Sequence, residues 1–322
     1  MAAGCVIGVD LGGTKLLAGT VDEDLQVHHR AYRLGRGGDT RTVLANIVDV
    51  VQEVREAHEG EIEAVGLGIP CLVDRERGVA LACNHLPLVD VPIRDLMAEQ
   101  LGLPVFLDND GSAAMLAEWK WGAAQGATDA VLLTLGTGIG GGLLVGGKVA
   151  RGSVGAAGEL GHIVIAQDGL PCPGACPNHG CLEAYVSGNA LGREGLRVAR
   201  AVPESELGRA LASGREITGA LVTELAHDGD AAARDVVANM GSHLGVGLTS
   251  LVNIFNPEVV VVGGAAIAAG ELLLAPARDV LARRGLPALV ERVRVVPARF
   301  GAESGMLGAA VLAMEGLAGG DG

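Results

Sequence analysis

The chain has 322 residues, 49% of them hydrophobic, which is more than one core usually organises and enough to fill two. Lys+Arg 24 against Asp+Glu 38 leave a net charge of -14. A surface this acidic repels nucleic-acid phosphates and anionic lipid, so neither partner is expected. The opening MAAGCVIGVDLGG lacks a basic leader and no apolar run of about 18 residues follows, so a cytoplasmic, non-membrane chain is expected.

In chain order, CVIGVDLGGTKLLAGTVDEDLQVHHRAYRL reads as three strands joined by turns at DLGGT and DEDL. Residues about 40 to 57 carry Val43, Ile47, Val50, Val51 and Val54 on one helical stripe, with Asp39 or Thr40 as N-cap. AVGLGIP reads as a buried strand ended by Pro70, residues about 92 to 102 as a short helix, and PVFLDND as another strand. Asp108 and Asp110 then fall at the start of the helix GSAAMLAEWKWG, where the dipole favours acidic side chains. AVLLTLGTGIGGGLLVGGKVARG opens a second unit as strand, Gly/Thr tip and strand, a weak repeat of the first tip. A mainly helical stretch from about 181 to 254 follows, then the strand NPEVVVVGG, the strand RVRVVPARF and a closing helix in GAESGMLGAAVLAMEG. Strands alternating with helices make the chain α/β.

Two familiar patterns are coincidental. Gly136, Gly138 and Gly141 match a dinucleotide fingerprint, but a strand follows where that motif needs a helix. Gly142, Gly147 and Lys148 match a P-loop, but Val149 stands where Ser or Thr would hold magnesium. What remains is two Gly/Thr tips whose backbone N–H groups can hold phosphate oxygens, with Asp10 placed to hold magnesium directly or through water.

DLGGTK, LDNDGSAA, LGTGIGGG, GELGH and GCLEAYVSG occur in this order and resemble the ROK family of sugar kinases and repressors, above all its bacterial glucokinases. The resemblance implies two actin-like (ribonuclease H-like) lobes with an interlobe cleft. Residues 1–110 would form a small lobe, with a helix at about 302–318 packing back on it, and 111–301 a large lobe carrying a zinc loop at 162–181. It implies ATP-dependent phosphorylation of D-glucose to glucose 6-phosphate with Mg2+, and a homodimer or tetramer. Fructose, N-acetylglucosamine or N-acetylmannosamine as acceptor, and polyphosphate as donor, stay open, as does a non-catalytic sugar-sensing protein. A repressor is disfavoured, because the first phosphate strand starts at Val6 and leaves no room for a helix-turn-helix domain.

Laid on matching positions, the resemblance makes Asp110 the general base for the attacking hydroxyl. Asn84, Asn109, Glu159, His162 and Glu183 would bind the sugar, carboxylates because each accepts two or more hydroxyl hydrogen bonds. Asp10, Gly12, Gly13, Thr14, Lys15 and Gly136, Thr137, Gly138 would hold the phosphates and magnesium, and Gly263 and Gly264 the adenosine side. The chain departs from the family pattern twice. Cys71 follows the Pro of GIP where the family often has Gly, and Gly174 stands where the first metal cysteine usually is. Cys172, Cys176, Cys181 and His162 are then expected to bind a structural zinc, with His179 as a spare ligand. Cys5, Cys71 and Cys83 read as small core residues.

Overall fold

The computed structural model describes residues 4–12, 15–34, 38–83 and 86–319. It begins with an antiparallel β1 (Cys5–Leu11), β2 (Lys15–Val21) and β3 (Val27–Leu34). Helix α1 (Thr40–Glu56) buries Val43, Ile47, Val50, Val51 and Val54, the stripe its period specifies, and Asp39 caps it by accepting from the Thr42 N–H. Strand β4 (Ile62–Ile69) is followed by a hairpin, β5 (Cys71–Asp74) and β6 (Val79–Cys83), then α2 (Ile93–Leu101), β7 (Val105–Asn109) and α3 (Asp110–Lys120). Strands β8 (Ala130–Leu135), β9 (Ile139–Val145) and β10 (Lys148–Val149) precede a long loop pinned by two short 3-10 turns, Leu160–His162 and Leu182–Ala184. The helical stretch is α4 (Gly188–Ala201), α5 (Glu206–Ala212), α6 (Gly219–His227) and α7 (Ala231–Phe255). Strand β11 (Val259–Gly263), α8 (Glu271–Arg284), α9 (Pro287–Val290), β12 (Arg294–Pro297) and α10 (Ser304–Leu317) complete the chain.

Two five-stranded sheets result, in the orders β3-β2-β1-β4-β7 and β10-β9-β8-β11-β12, with β5-β6 as a small third sheet. Strand β4 runs parallel to β1 and β7, and β11 parallel to β8 and β12, as crossover connections demand. Both central strands read as near-continuous apolar runs because both of their faces are covered.

The residues group into two compact units, 1–128 with 142–158 and 302–322, and 129–141 with 159–301. The first unit therefore runs past the boundary expected after Asp110, and the reason is packing. Helix α10 lies on α3, β1 and β4, so close that Gly308 faces the Ala113 carbonyl and Gly8 and Gly66 face the Met306 and Ala309 carbonyls with no room for a Cβ. Among the described residues no helix is long and apolar enough to cross a membrane.

Candidate active site and metal centre

In the first unit the site residues gather at the ends of β1 and β7. Asp10, at the end of β1, is buried, and its carboxylate lies 3.9 Å from Lys15 Nζ. Burial pushes the Asp10 carboxyl above its ordinary value and Lys15 pulls it back. Gly305, in the first turn of α10, lies against the same carboxylate, so a helix N-terminus helps to hold an anion there. The turn itself closes through Gly12 N–H to the Lys15 carbonyl at 2.7 Å. Gly13, Thr14 and Asn84 lie outside the described residues.

At the end of β7 the DND triplet divides its labour. Asn109 is the N-cap of α3: its Oδ1 accepts from Gly111 N–H at 2.9 Å and Ser112 N–H at 3.2 Å, and its Nδ2 donates to the Cys71 carbonyl at 3.3 Å. Asp110, the first residue of α3, is therefore not the cap, although its Oδ1 accepts from Gly111 N–H at 2.8 Å. Asp108 turns away from the helix. It is 2% exposed and accepts from Arg151 Nε at 2.9 Å, with Arg151 Nη2 at 2.7 Å and Arg75 Nε at 3.7 Å. Removing one partner of so buried a pair costs about 3–5 kcal/mol, so Asp108 and Arg151 hold β7 in place beside Asp110. Sequence reasoning placed Asp108 at the helix start and missed Arg151. A buried carboxylate needs a cation, but nothing in RGSVGAAGE says which arginine supplies it.

In the second unit the Gly136–Gly138 tip closes through Gly136 N–H to the Gly138 carbonyl at 2.9 Å. The Gly136 carbonyl accepts from Gly188 N–H, at the start of α4, at 2.7 Å. Gly263 pairs with Thr134, and Gly264, at φ 81°, lies so close to the Leu135 backbone that a Cβ would clash. Glu183 is buried and accepts from the Ile139 N–H at 2.6 Å, which ties the 3-10 turn Leu182–Ala184 to the tip. Glu159 lies 3.8 Å from His162 Nε2. Partial burial raises the Glu159 carboxyl, His162 lowers it and the charge on Glu183 raises it further.

His162, Cys172, Cys176 and Cys181 place one donor atom each within 4.8 Å of the others. A tetrahedral zinc with bonds of about 2.3 Å to sulfur spaces its ligands about 3.8 Å apart, so this set fits the ion with small adjustments. Burial, with the neighbouring Cys181 and Cys176, pushes the Cys172 thiol up, since thiolates do not ionise side by side without a cation. His162 turns Nδ1 towards Cys172 Sγ, at 3.4 Å, and leaves Nε2 facing Glu159. The spare candidate, His179, lies outside this set and faces the Gly169 carbonyl through Nδ1 at 3.3 Å. Backbone bonds fold the loop on itself: Cys172 N–H to the Asn178 carbonyl at 2.9 Å and Gly180 N–H to the Leu170 carbonyl at 2.7 Å.

The ROK family model matches residues 6–315. The glucokinase of Streptomyces coelicolor is 35% identical, the alignment covering 97% of this chain and 98% of that one. The glucokinase of Thermotoga maritima is 36% identical, over 98% of each. Among solved structures, a ROK family glucokinase from Streptomyces griseus in complex with glucose and AMPPNP superposes with a TM-score of 0.89 at 36% identity, covering 97% of this chain and 100% of that one.

Proposed function

The chain belongs to the ROK family and has its actin-like sugar-kinase fold, and on that premise we propose that it is a glucokinase, transferring the γ-phosphoryl group of ATP to the 6-hydroxyl of D-glucose. The observation that carries the reading is the arrangement at β7 and α3. Asn109 takes the capping duty and Arg151 takes Asp108, which leaves Asp110 as the carboxylate of the triplet assigned to chemistry. Asp110 removes the proton from the attacking hydroxyl as in-line transfer proceeds. Asn109 keeps one amide hydrogen beyond those bonds, and with Asn84, Glu159, His162 and Glu183 it binds the sugar.

The phosphates are assigned to Gly12, Gly13, Thr14 and Lys15 and to Gly136, Thr137 and Gly138, and the adenosine side to Gly263 and Gly264. The buried Asp10 carboxylate is a hard oxygen donor of the kind magnesium takes, and the ion, when bound, neutralises charge on the phosphates. Zinc held by His162, Cys172, Cys176 and Cys181 would staple the loop that carries Glu159 and Glu183, and His162 Nε2, which faces Glu159, would be left for a sugar hydroxyl.

Coupled ADP release with ATP as donor, against glucose, fructose, N-acetylglucosamine and N-acetylmannosamine, tests the reading, and direct measurement of sugar phosphate tests polyphosphate as donor. Activity confined to another sugar keeps the family and rejects glucose. Asp110→Asn is expected to lower kcat by about 10²–10⁴-fold with sugar affinity little changed. Near-normal turnover in that variant would place the base elsewhere.

A further inference from the structure

The hairpin β5-β6 sets two cysteines directly opposite each other, Cys71 against Cys83. Facing residues of antiparallel strands have Cα atoms about 4.5 or 5.5 Å apart, and both distances lie within the range a disulfide spans. The two thiols differ in access: Cys71 is buried, whereas Cys83 is half-buried and donates from Sγ to the Pro70 carbonyl at 3.0 Å. The contact with Cys83, burial and the charge on Asp110 all hold Cys71 as the neutral thiol. The pair also touches the machinery assigned above, since the Cys71 carbonyl receives the Asn109 amide and Asn109 caps the helix that begins at Asp110.

We propose that Cys71 and Cys83 are a modification site, a dithiol that a low-molecular-weight disulfide converts reversibly to a cross-strand disulfide, with loss of kinase activity. The loss of activity rests on the kinase reading; the bond does not. The accessible Cys83 thiolate attacks one sulfur of the small disulfide and releases one small thiolate, which leaves a mixed disulfide. Cys71 Sγ then attacks Cys83 Sγ, and the second small thiol departs with the Cys71 proton. In sum, two protein thiols lose two protons and two electrons, and one small disulfide becomes two thiols. Forming the bond draws Cys83 Sγ off the Pro70 carbonyl and re-orients the Cys71 side chain within its strand, which shifts the Cys71 carbonyl that receives the Asn109 amide. A displacement of about 1 Å beside a catalytic group costs on the order of 10²-fold in rate.

The test treats the zinc-containing protein with glutathione disulfide, then alkylates free thiols and maps peptides, with zinc content and sugar-dependent ADP release measured in parallel. The expected result is a peptide linked through Cys71 and Cys83, zinc retained, activity lowered roughly 10- to 100-fold and restored by dithiothreitol. Cys83→Ala and Cys71→Ser, confirmed as folded by unchanged zinc content and melting temperature, should keep their activity under the same treatment. Glutathione left on Cys83 with no link to Cys71 would overturn the proposal. So would a linked peptide with undiminished ADP release, or loss of activity that follows zinc release and linkage among Cys172, Cys176 and Cys181. A reduced protein that releases no ADP on any sugar refutes the kinase reading instead, and the linked peptide still reports on the bond.

Discussion

The two five-stranded sheets share one strand order: a hairpin-linked edge runs third, second, first, and two crossover strands follow. Asp10 pairs with Gly68 in one, and Thr134 with Gly263 in the other, so the two residues occupy the same place beside their tips. One copy therefore carries a buried anion with Lys15 close by, and the other a neutral hydroxyl with a backbone N–H bound to Glu183. The copies also differ two residues back along the strands. Gly8 faces Gly66 in the first sheet, and α10 presses onto that bare backbone; Leu132 faces Val261 in the second and fills the same place with side chains. One scaffold has thus been specialised twice, by charge at the tip and by bulk in the sheet.

Exchanging these differences tests them. Asp10→Asn should cost most, lowering kcat/KM by about 10²–10³-fold if the first tip alone holds the cation. The same variant should be more stable. Because burial raises the Asp10 carboxyl above its unfolded value, the unfolded chain binds fewer protons between the two values, so stability falls as pH rises through that window. Removing the charge abolishes the fall, and urea unfolding in metal-free buffer at pH 7 should show a gain of about 0.5–2 kcal/mol. A less stable Asp10→Asn would mean that Lys15 and the α10 terminus outweigh burial.

Next comes the loop that only the second unit has. Cys181→Ser should lose zinc and raise the sugar KM about 10- to 100-fold, as metal analysis with kinetics will show; retained zinc would assign the site to other ligands. Gly66→Ala should cost about 1–3 kcal/mol of stability because α10 must lift, whereas Val261→Ala, which deletes bulk in the second sheet, leaves a cavity instead. Smallest is Thr134→Val, expected to change kcat/KM by less than about tenfold if its hydroxyl merely supports the tip. An effect as large as that of Asp10→Asn would make the two tips functionally equivalent.

What could be read in advance had a physical signal. The valine and isoleucine stripe of α1, the Asp39 cap and the end of β4 before Pro70 follow from period, capping chemistry and the missing N–H of proline. The Cys/His set, with Cys172 in place of the usual first cysteine, was legible through the family resemblance, and its four donor atoms do meet. The hairpin β5-β6 was not, because CLVDRERGVALAC has only 4 and 5 strand residues around a charged turn and shows no clear alternation. Missing it hid the meeting of Cys71 and Cys83, which had read as separate core residues. The capping duty of Asn109 and the pairing of Asp108 with Arg151 were equally hidden, since which member of DND turns inward depends on a partner 43 residues away.

The return of α10 to the first sheet has a consequence for how the chain reaches this structure. Lys15 Nζ reaches the Ala302 carbonyl across 287 residues of sequence, and the bare glycines of β1 and β4 wait for the same segment. During synthesis the strands of the first sheet precede the second unit but cannot close their core until α10 follows, whereas every residue of the second unit is made before α10. Long-range closure of this kind is slow. The later-made unit can therefore mature first, while Gly8 and Gly66 still stand uncovered.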